Sequence, residues 1–218
     1  ELKNPLASLR SAVDGLGRVK DPEFRQRLLS IVADDVRRLD RLITDISEAS
    51  RLDAQLSRAR FDPLDLAAML RGLVEQRVAR GMERDLRLRF DAATTGPLIV
   101  PGEGARLERV FDNLIDNALS FSPEGGLVAI TAVAGPQRAE VRVEDEGPGV
   151  PEEAREAVFG RFNSIRPATE TFGQHSGLGL AIARTIVEAH GGTIAVEARE
   201  DRLSGARFVV RLPRAEPR

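Results

Sequence analysis

The apolar residues of the first sixty positions fall on heptad seams, and no other feature of the sequence restricts the possible folds so strongly. Leu2, Leu6, Leu9, Val13 and Leu16 recur at alternating spacings of four and three, which puts them on one stripe of a helix. A second seam runs through Leu29, Val32, Val36, Leu39, Ile43 and Ile46, widened by Leu28, Ile31 and Leu42. Between the seams, Asp21-Pro22-Glu23 reads as a helix start. It supplies an N-cap, a proline at the first helical position, and an acid on the positive end of the helix dipole. A helix from Pro22 to Ser57 would be roughly 50 Å long at ~1.5 Å per residue. Two helices with stripes this wide cannot bury both faces against each other. Pairing with a second copy into a four-helix bundle covers the remainder. The alternative is a monomeric hairpin packed on the domain that follows.

Phe61-Asp62-Pro63 breaks the helical pattern and sets a boundary, dividing the chain into residues 1–60 and 61–218. Beyond it, helical and strand patterns alternate. Leu66 to Val78, Ala105 to Phe121, a segment after Pro151, and Leu180 to His190 read as helices. Leu86 to Phe90, Leu98 to Val100, Val128 to Val133, Ala139 to Asp145, Thr193 to Glu197 and Arg207 to Leu212 read as strands. The fold class is α+β: an N-terminal helical hairpin, then an α/β sandwich with helices on one face of a mixed sheet. Arg199 to Gly205 reads as a polar turn, and Ala215 to Arg218 as a tail.

Composition removes several functions. A formal net charge of -2 argues against an electrostatically driven nucleic-acid binder, which needs an excess of Lys and Arg. The absence of cysteine excludes disulfides, thiolate metal sites and thiol nucleophiles. The longest apolar run, within Leu127 to Ala134, is far short of a bilayer span. Lysine occurs only at Lys3 and Lys20. Neither is placed for a Walker-type phosphate loop or for the strand lysine of a protein-kinase fold. Phosphate binding here requires another design.

Four segments supply one. RVFDNLIDNALSF carries Asn113 and Asn117 at i and i+4, so both carboxamides leave one helix face. Asparagine is a poor mid-helix residue, and such a pair can hold a hydrated magnesium and phosphate oxygens, although a solvated face is the commoner reason for it. In VEDEGPGV, Asp145 ends a strand and Gly147 and Gly149 follow. A carboxylate there can accept from an exocyclic amine while the glycines admit a flat ring and positive φ; a tight strand-to-helix turn explains them equally well. EAVFGRF places Phe159 and Phe162 three apart as a hydrophobic plug. In GQHSGLGLAIARTIVEAHGG, Gly173, Gly177 and Gly179 lead into a helix, where backbone N–H groups form an anion site without a lysine. Ile182 stands where a dinucleotide fingerprint has its third Gly or Ala.

In this order and spacing, Asn113/Asn117, Asp145-x-Gly147-x-Gly149, Phe159/Phe162 and Gly177-x-Gly179 resemble the N, G1, F and G2 boxes of the histidine-kinase ATP-binding domain. That family shares its fold with gyrase, Hsp90 and MutL and binds ATP under a mobile lid. The resemblance implies that Asp145 reads the adenine amine, that Asn113 and Asn117 serve Mg²⁺ and phosphate, and that Phe121 borders the base. It further implies that Gly173 to Gly179, with Leu178 and Leu180, close over the phosphates, and that the lid spans Asn163 to Ser176. Ser120 stands where the family commonly has Lys or Arg, which leaves Arg161 and Arg166 as candidate phosphate cations.

The amino terminus agrees. ELKNPL resembles the H box His-Glu-x-x-Asn-Pro with its histidine removed, so the phosphoacceptor is expected directly before Glu1 and this polypeptide is not expected to phosphorylate itself. By the same resemblance, Glu1 fixes the ring tautomer as general base, Asn4 assists transfer and dephosphorylation, and Pro5 bends the helix. RRLDRLITDISEASRLDAQL resembles the ChvG-type envelope-stress kinases. The implied activity is ATP-dependent phosphorylation of a histidine and transfer to an aspartate of a response-regulator receiver domain. Implied too are a homodimer, regulator docking beside Asn4 to Val13 and the first half of the second helix, no nucleic-acid partner, and a cytoplasmic position in an inner-membrane sensor whose membrane segments lie outside this chain. The alternatives are a non-catalytic nucleotide-binding dimerisation module and an ATPase of the same fold. Of the two histidines, His175 lacks a following acid and His190 ends a helix where a cation suits the dipole; both read as structural.

Overall fold

The computed structural model describes residues 3–17, 19, 21–33, 36, 39, 61–94, 96–161, 177–199 and 204–215. Helix α1 spans Lys3–Leu16, and α2 covers 22–33, with 36 and 39 also helical. Asp21 caps α2 as its sequence suggests, its Oδ1 accepting from the Glu23 N–H at 3.1 Å. The two seams divide in a regular way. Leu9, Leu16, Val32 and Leu39 are half-buried, Ala12 is buried, and Gly15 comes so near Leu28 that a Cβ would lie 3.2 Å from its side chain. The alternate seam members point away: Leu6, Val13, Leu29 and Val36 are 51–55% exposed. Among the described residues, each helix thus divides its seam between the hairpin and the outside. Ile43 and Ile46, and α2 beyond 39, lie outside the described residues.

The second unit opens with β1 (Asp62–Asp65), paired antiparallel with β3 (Ile99–Gly102). Its Pro63 is tolerated because β1 is an edge strand. Asp65 then does two tasks with one oxygen. Its Oδ1 caps α3 (Leu66–Ala79) through the Ala67 and Ala68 N–H groups and also accepts from the Leu98 N–H.

The main sheet has the order β2-β4-β5-β7-β6, built from Arg87–Ala93, Leu127–Ala134, Arg138–Glu144, Arg207–Pro213 and Thr193–Glu197. β2 and β4 run parallel and the other pairs antiparallel. Alternation along the strands puts Ile130, Val141, Val143, Phe208 and Val210 into one core with Leu70 of α3, Phe111 and Leu114 of α4 (Gly104–Phe121), and Ile186 of α5 (Gly179–Ala189). The opposite face carries charge in register. Arg211 bridges Glu140 and Glu197, each at 2.7 Å, and Arg207 meets Glu144 at 2.7 Å. Among the described residues no helix is long and apolar enough to cross a membrane.

Three elements differ from the sequence reading. The boundary segment contains strand β1. The helix expected after Pro151 is two short 3₁₀ turns, Glu152–Ala154 and Ala157–Phe159. So short a stretch before Gly160 falls below the length at which an α-helix repays its nucleation, and burial of Val158 and Phe159 fixes it instead. The tail begins ordered, with the Ala215 N–H donating to the Ile99 carbonyl at 3.1 Å.

Candidate active site

Asp145 follows the last residue of β5 and is 1% exposed. Its Oδ1 accepts from the N–H groups of Gly147 at 2.9 Å and Ala206 at 3.0 Å. Its own N–H donates to the Ala206 carbonyl at 3.1 Å, and its carbonyl accepts from Arg199 at 2.6 Å. Burial pushes this carboxyl above the usual range, while the two backbone donors and the Arg199 charge pull it back. Among the described residues nothing donates to Oδ2. A second carboxylate oxygen left over in this way suits a donor brought by a ligand.

The glycines are required chiefly by close approach of the protein to itself. A Cβ on Gly147 would lie 2.7 Å from the Phe121 carbonyl at the end of α4. Gly205 has φ +125°, and a Cβ there would lie 1.8 Å from the Asp145 carbonyl oxygen. The turn after β5 is therefore held between the end of α4, with half-buried Phe121 beside it, and the loop joining β6 to β7.

Asn113 faces the other glycine-rich segment. Its Nδ2 donates to the Gly179 carbonyl at 3.1 Å, joining α4 to the first residue of α5. Its Oδ1 and the carboxamide of Asn117 one turn later are hard oxygen donors. No group of three or more His, Cys, Asp or Glu able to hold a metal exists among the described residues. This donor set fits a magnesium that keeps water and phosphate oxygens in its shell. Gly177 and the first turn of α5 present main-chain N–H groups without intrahelical partners. Behind α4, Arg77 of α3 reaches Asp112 at 2.5 Å and Asp116 at 2.6 Å, the neighbours of the two asparagines.

Of the other expected site residues, Leu178 is buried and Leu180 packs against the core, so any part they take in binding falls to their main chain. Arg161 is exposed, beyond Gly160 and the second 3₁₀ turn. Asn4 lies in helical backbone. Glu1, Phe162, Arg166, Gly173 and the lid segment 163–176 lie outside the described residues. Phe159 is the plug that its spacing implied, edge-on to Phe208 at 6.2 Å and beneath the Arg184 guanidinium at 5.4 Å.

His190 is structural, but not as a cation at a helix end. It is 4% exposed. Its Nδ1 lies 2.7 Å from the Ile186 carbonyl, and its Nε2 accepts from the Glu103 N–H at 3.1 Å. That pairing requires the neutral ring, with Nδ1 as the donor. Sequence reasoning did not find Arg77, Arg199 or Ala206. The signals were an arginine and a glycine in a turn that reads as merely polar.

Comparison with known proteins gives the family. Residues 102–216 match the histidine kinase-, DNA gyrase B- and HSP90-like ATPase family, and residues 1–55 match the His Kinase A (phospho-acceptor) domain. The sensor protein ChvG of Agrobacterium fabrum is 47% identical over 99% of this chain, which spans 38% of that relative's length. ShkA, solved full-length in complex with AMPPNP, is 28% identical with a TM-score of 0.70 over 98% of this chain and 42% of its own. ThkA, solved in complex with the response regulator protein TrrA, shares the fold at a TM-score of 0.78 and 24% identity over 98% of this chain and 59% of its own. The chain belongs to the sensor histidine kinases, of the ChvG type, with a phospho-acceptor segment followed by an ATPase-type domain.

Proposed function

We propose that this chain is the catalytic core of a sensor kinase that transfers the γ-phosphoryl group of Mg-ATP to a histidine directly before Glu1. The phosphoryl group then passes to an aspartate of a response-regulator receiver domain, and phosphatase activity toward that regulator belongs to the same reading. Residues 1–60 form the dimerising phosphotransfer hairpin and residues 61–218 the nucleotide domain. The core sits on the cytoplasmic side of a membrane-anchored sensor, with the anchor outside this sequence.

The observation that carries this reading is Asp145: a buried carboxylate with one oxygen tied to two backbone amides and the other left for an exocyclic amine. The turn at Gly147 brings the base beside Phe121. Asn113 and Asn117 hold the phosphates and Mg²⁺ at the opposite end, where α5 begins. Magnesium supplies charge neutralisation for a transfer that depends on positioning more than on covalent help from the protein. In the transfer, a ring nitrogen bonds to the γ-phosphorus as its bond to the β–γ bridging oxygen breaks, and ADP leaves. Glu1 accepts the proton on the other ring nitrogen, and Asn4 orients the groups. Arg161 adds charge at the phosphates in this reading.

Dimerisation follows from the seams. The outward residues Leu6, Val13, Leu29 and Val36 repeat every seven positions on each helix, the spacing that a partner hairpin covers. The receiver domain docks on the flank of α1 beside Asn4 to Val13. ThkA was solved with such a regulator bound.

The test is phosphorylation of the chain with a histidine placed directly before Glu1, supplied with γ-labelled ATP and Mg²⁺. Acid-labile label that disappears in Asp145→Asn is expected. A polypeptide that binds Mg-ATP yet takes up no label would overturn the kinase reading in favour of a nucleotide-binding dimerisation module.

A further inference from the structure

Between β6 and β7, the described residues Arg199 and Ser204 to Ala206 bear on the base-recognition end of the site, and their contacts converge on one residue. Arg199 places a guanidinium N–H 2.6 Å from the Asp145 carbonyl and another contact at 3.5 Å on the Ser204 carbonyl. Gly205, at φ +125°, lets the loop pass where any side chain would strike that carbonyl. Ala206 then exchanges two hydrogen bonds with Asp145, one to the main chain and one to Oδ1. Asp145 is consequently fixed at its N–H, its carbonyl and one carboxylate oxygen by residues far away in sequence. Only the Gly147 contact is local.

Resting on the reading of Asp145 as the group that meets the adenine amine, we infer that Arg199 is a positioning residue for adenine recognition, acting through the Asp145 peptide. A charged donor on a carbonyl forms a stronger hydrogen bond than a neutral one, and this one fixes the peptide from which the carboxylate extends. With the backbone held by Arg199 and Oδ1 held by Ala206 and Gly147, the χ angles of Asp145 have little freedom. Oδ2 is then presented in one direction. The same positive charge favours the ionised carboxylate against the cost of burial. Arg199 also closes its own loop through Ser204, which is the purely structural role the test has to separate.

The test compares two nucleotides that differ only in the amine. Equilibrium binding of ADP and of purine riboside diphosphate, which lacks the exocyclic amine, is measured for the wild type, Arg199→Met and Arg199→Lys. Thermal unfolding of each variant is recorded alongside. Arg199→Met is expected to weaken ADP about five- to tenfold, the loss of one aimed hydrogen bond, and to leave the analogue nearly unchanged. Arg199→Lys is expected to recover part of the ADP affinity. Equal weakening of both nucleotides, or no weakening of either, would overturn the inference. Asp145→Asn separates the two levels. Should the wild type fail to prefer ADP, or Asp145→Asn leave the preference intact, the reading of Asp145 fails. Should Asp145→Asn erase the preference while Arg199→Met keeps it, only the role of Arg199 fails.

Discussion

The ring of Phe61 stacks on that of His190, centroids 4.6 Å apart and 32° from parallel. This contact ties the residue at which the helical pattern breaks to the last turn of α5. His190 in turn accepts from the Glu103 N–H just before α4. The chain's entry into the sheet domain, the start of α4 and the end of α5 meet at one neutral imidazole.

That imidazole makes stability pH-dependent. Burial is the largest influence and lowers its pKa; the Ile186 carbonyl raises it, Arg106 lowers it and Glu103 raises it, with a net shift downward. A histidine depressed in the folded state contributes fully above its unfolded value of about 6.5, and the contribution drains as pH falls from there through the folded value. Unfolding temperature is expected to drop as pH falls below about 6.5, and to drop less in His190→Gln, whose carbonyl can still accept from Glu103. His190→Ala is expected to cost about 2–3 kcal/mol at neutral pH, from lost packing and an orphaned donor. Thermal melts across pH check both.

Gly205 has no tolerated substitute. Gly205→Ala combines a positive φ with a methyl group 1.8 Å from a carbonyl oxygen, and is expected to destabilise the domain by about 3 kcal/mol. Denaturant unfolding measures it. The loop must also move off Asp145, so ADP affinity falls with stability.

Arg77 links α3 to α4 beside the asparagines. The three side chains are partly exposed, at 19%, 40% and 54%, which screens the pairs. Arg77→Ala is therefore expected to cost only about 1 kcal/mol, read by chemical denaturation. A loss several times larger would show that the cluster is a buried network instead.

The outward seam predicts the assembly state. Leu6→Glu or Leu29→Glu places charge on residues that are 55% and 52% exposed in the single chain. The hairpin should keep its helicity while sedimentation shows half the mass. A monomeric wild type would contradict the dimer.

Much of this was legible in the residues because the signals were local and periodic. Heptad seams announced α1 and α2, the Asp21 cap marked a start, and apolar alternation gave every strand of the main sheet. Asp145, Asn113 and Gly179 stood out because their types are poorly suited to regular elements. What the sequence concealed was non-local. β1 exists only because Pro63 and its neighbours find β3, and Asp65 shows its second partner, Leu98, only after folding. The Arg199 contact to Asp145 crosses 54 positions, and no spacing rule reaches that far. The cation expected at His190 failed for a related reason: the helix dipole favours charge at an exposed end, and here Phe61 and Glu103 bury it.

The most direct measurement is calorimetric titration of Mg-ADP into the wild type and Asp145→Asn. Asparagine can keep its oxygen on the Gly147 and Ala206 amides only by turning its NH₂ toward the incoming amine, donor against donor. The predicted result is an unchanged fold with affinity at least about tenfold weaker, the loss of one buried hydrogen bond. Equal affinity in the two proteins would contradict the account.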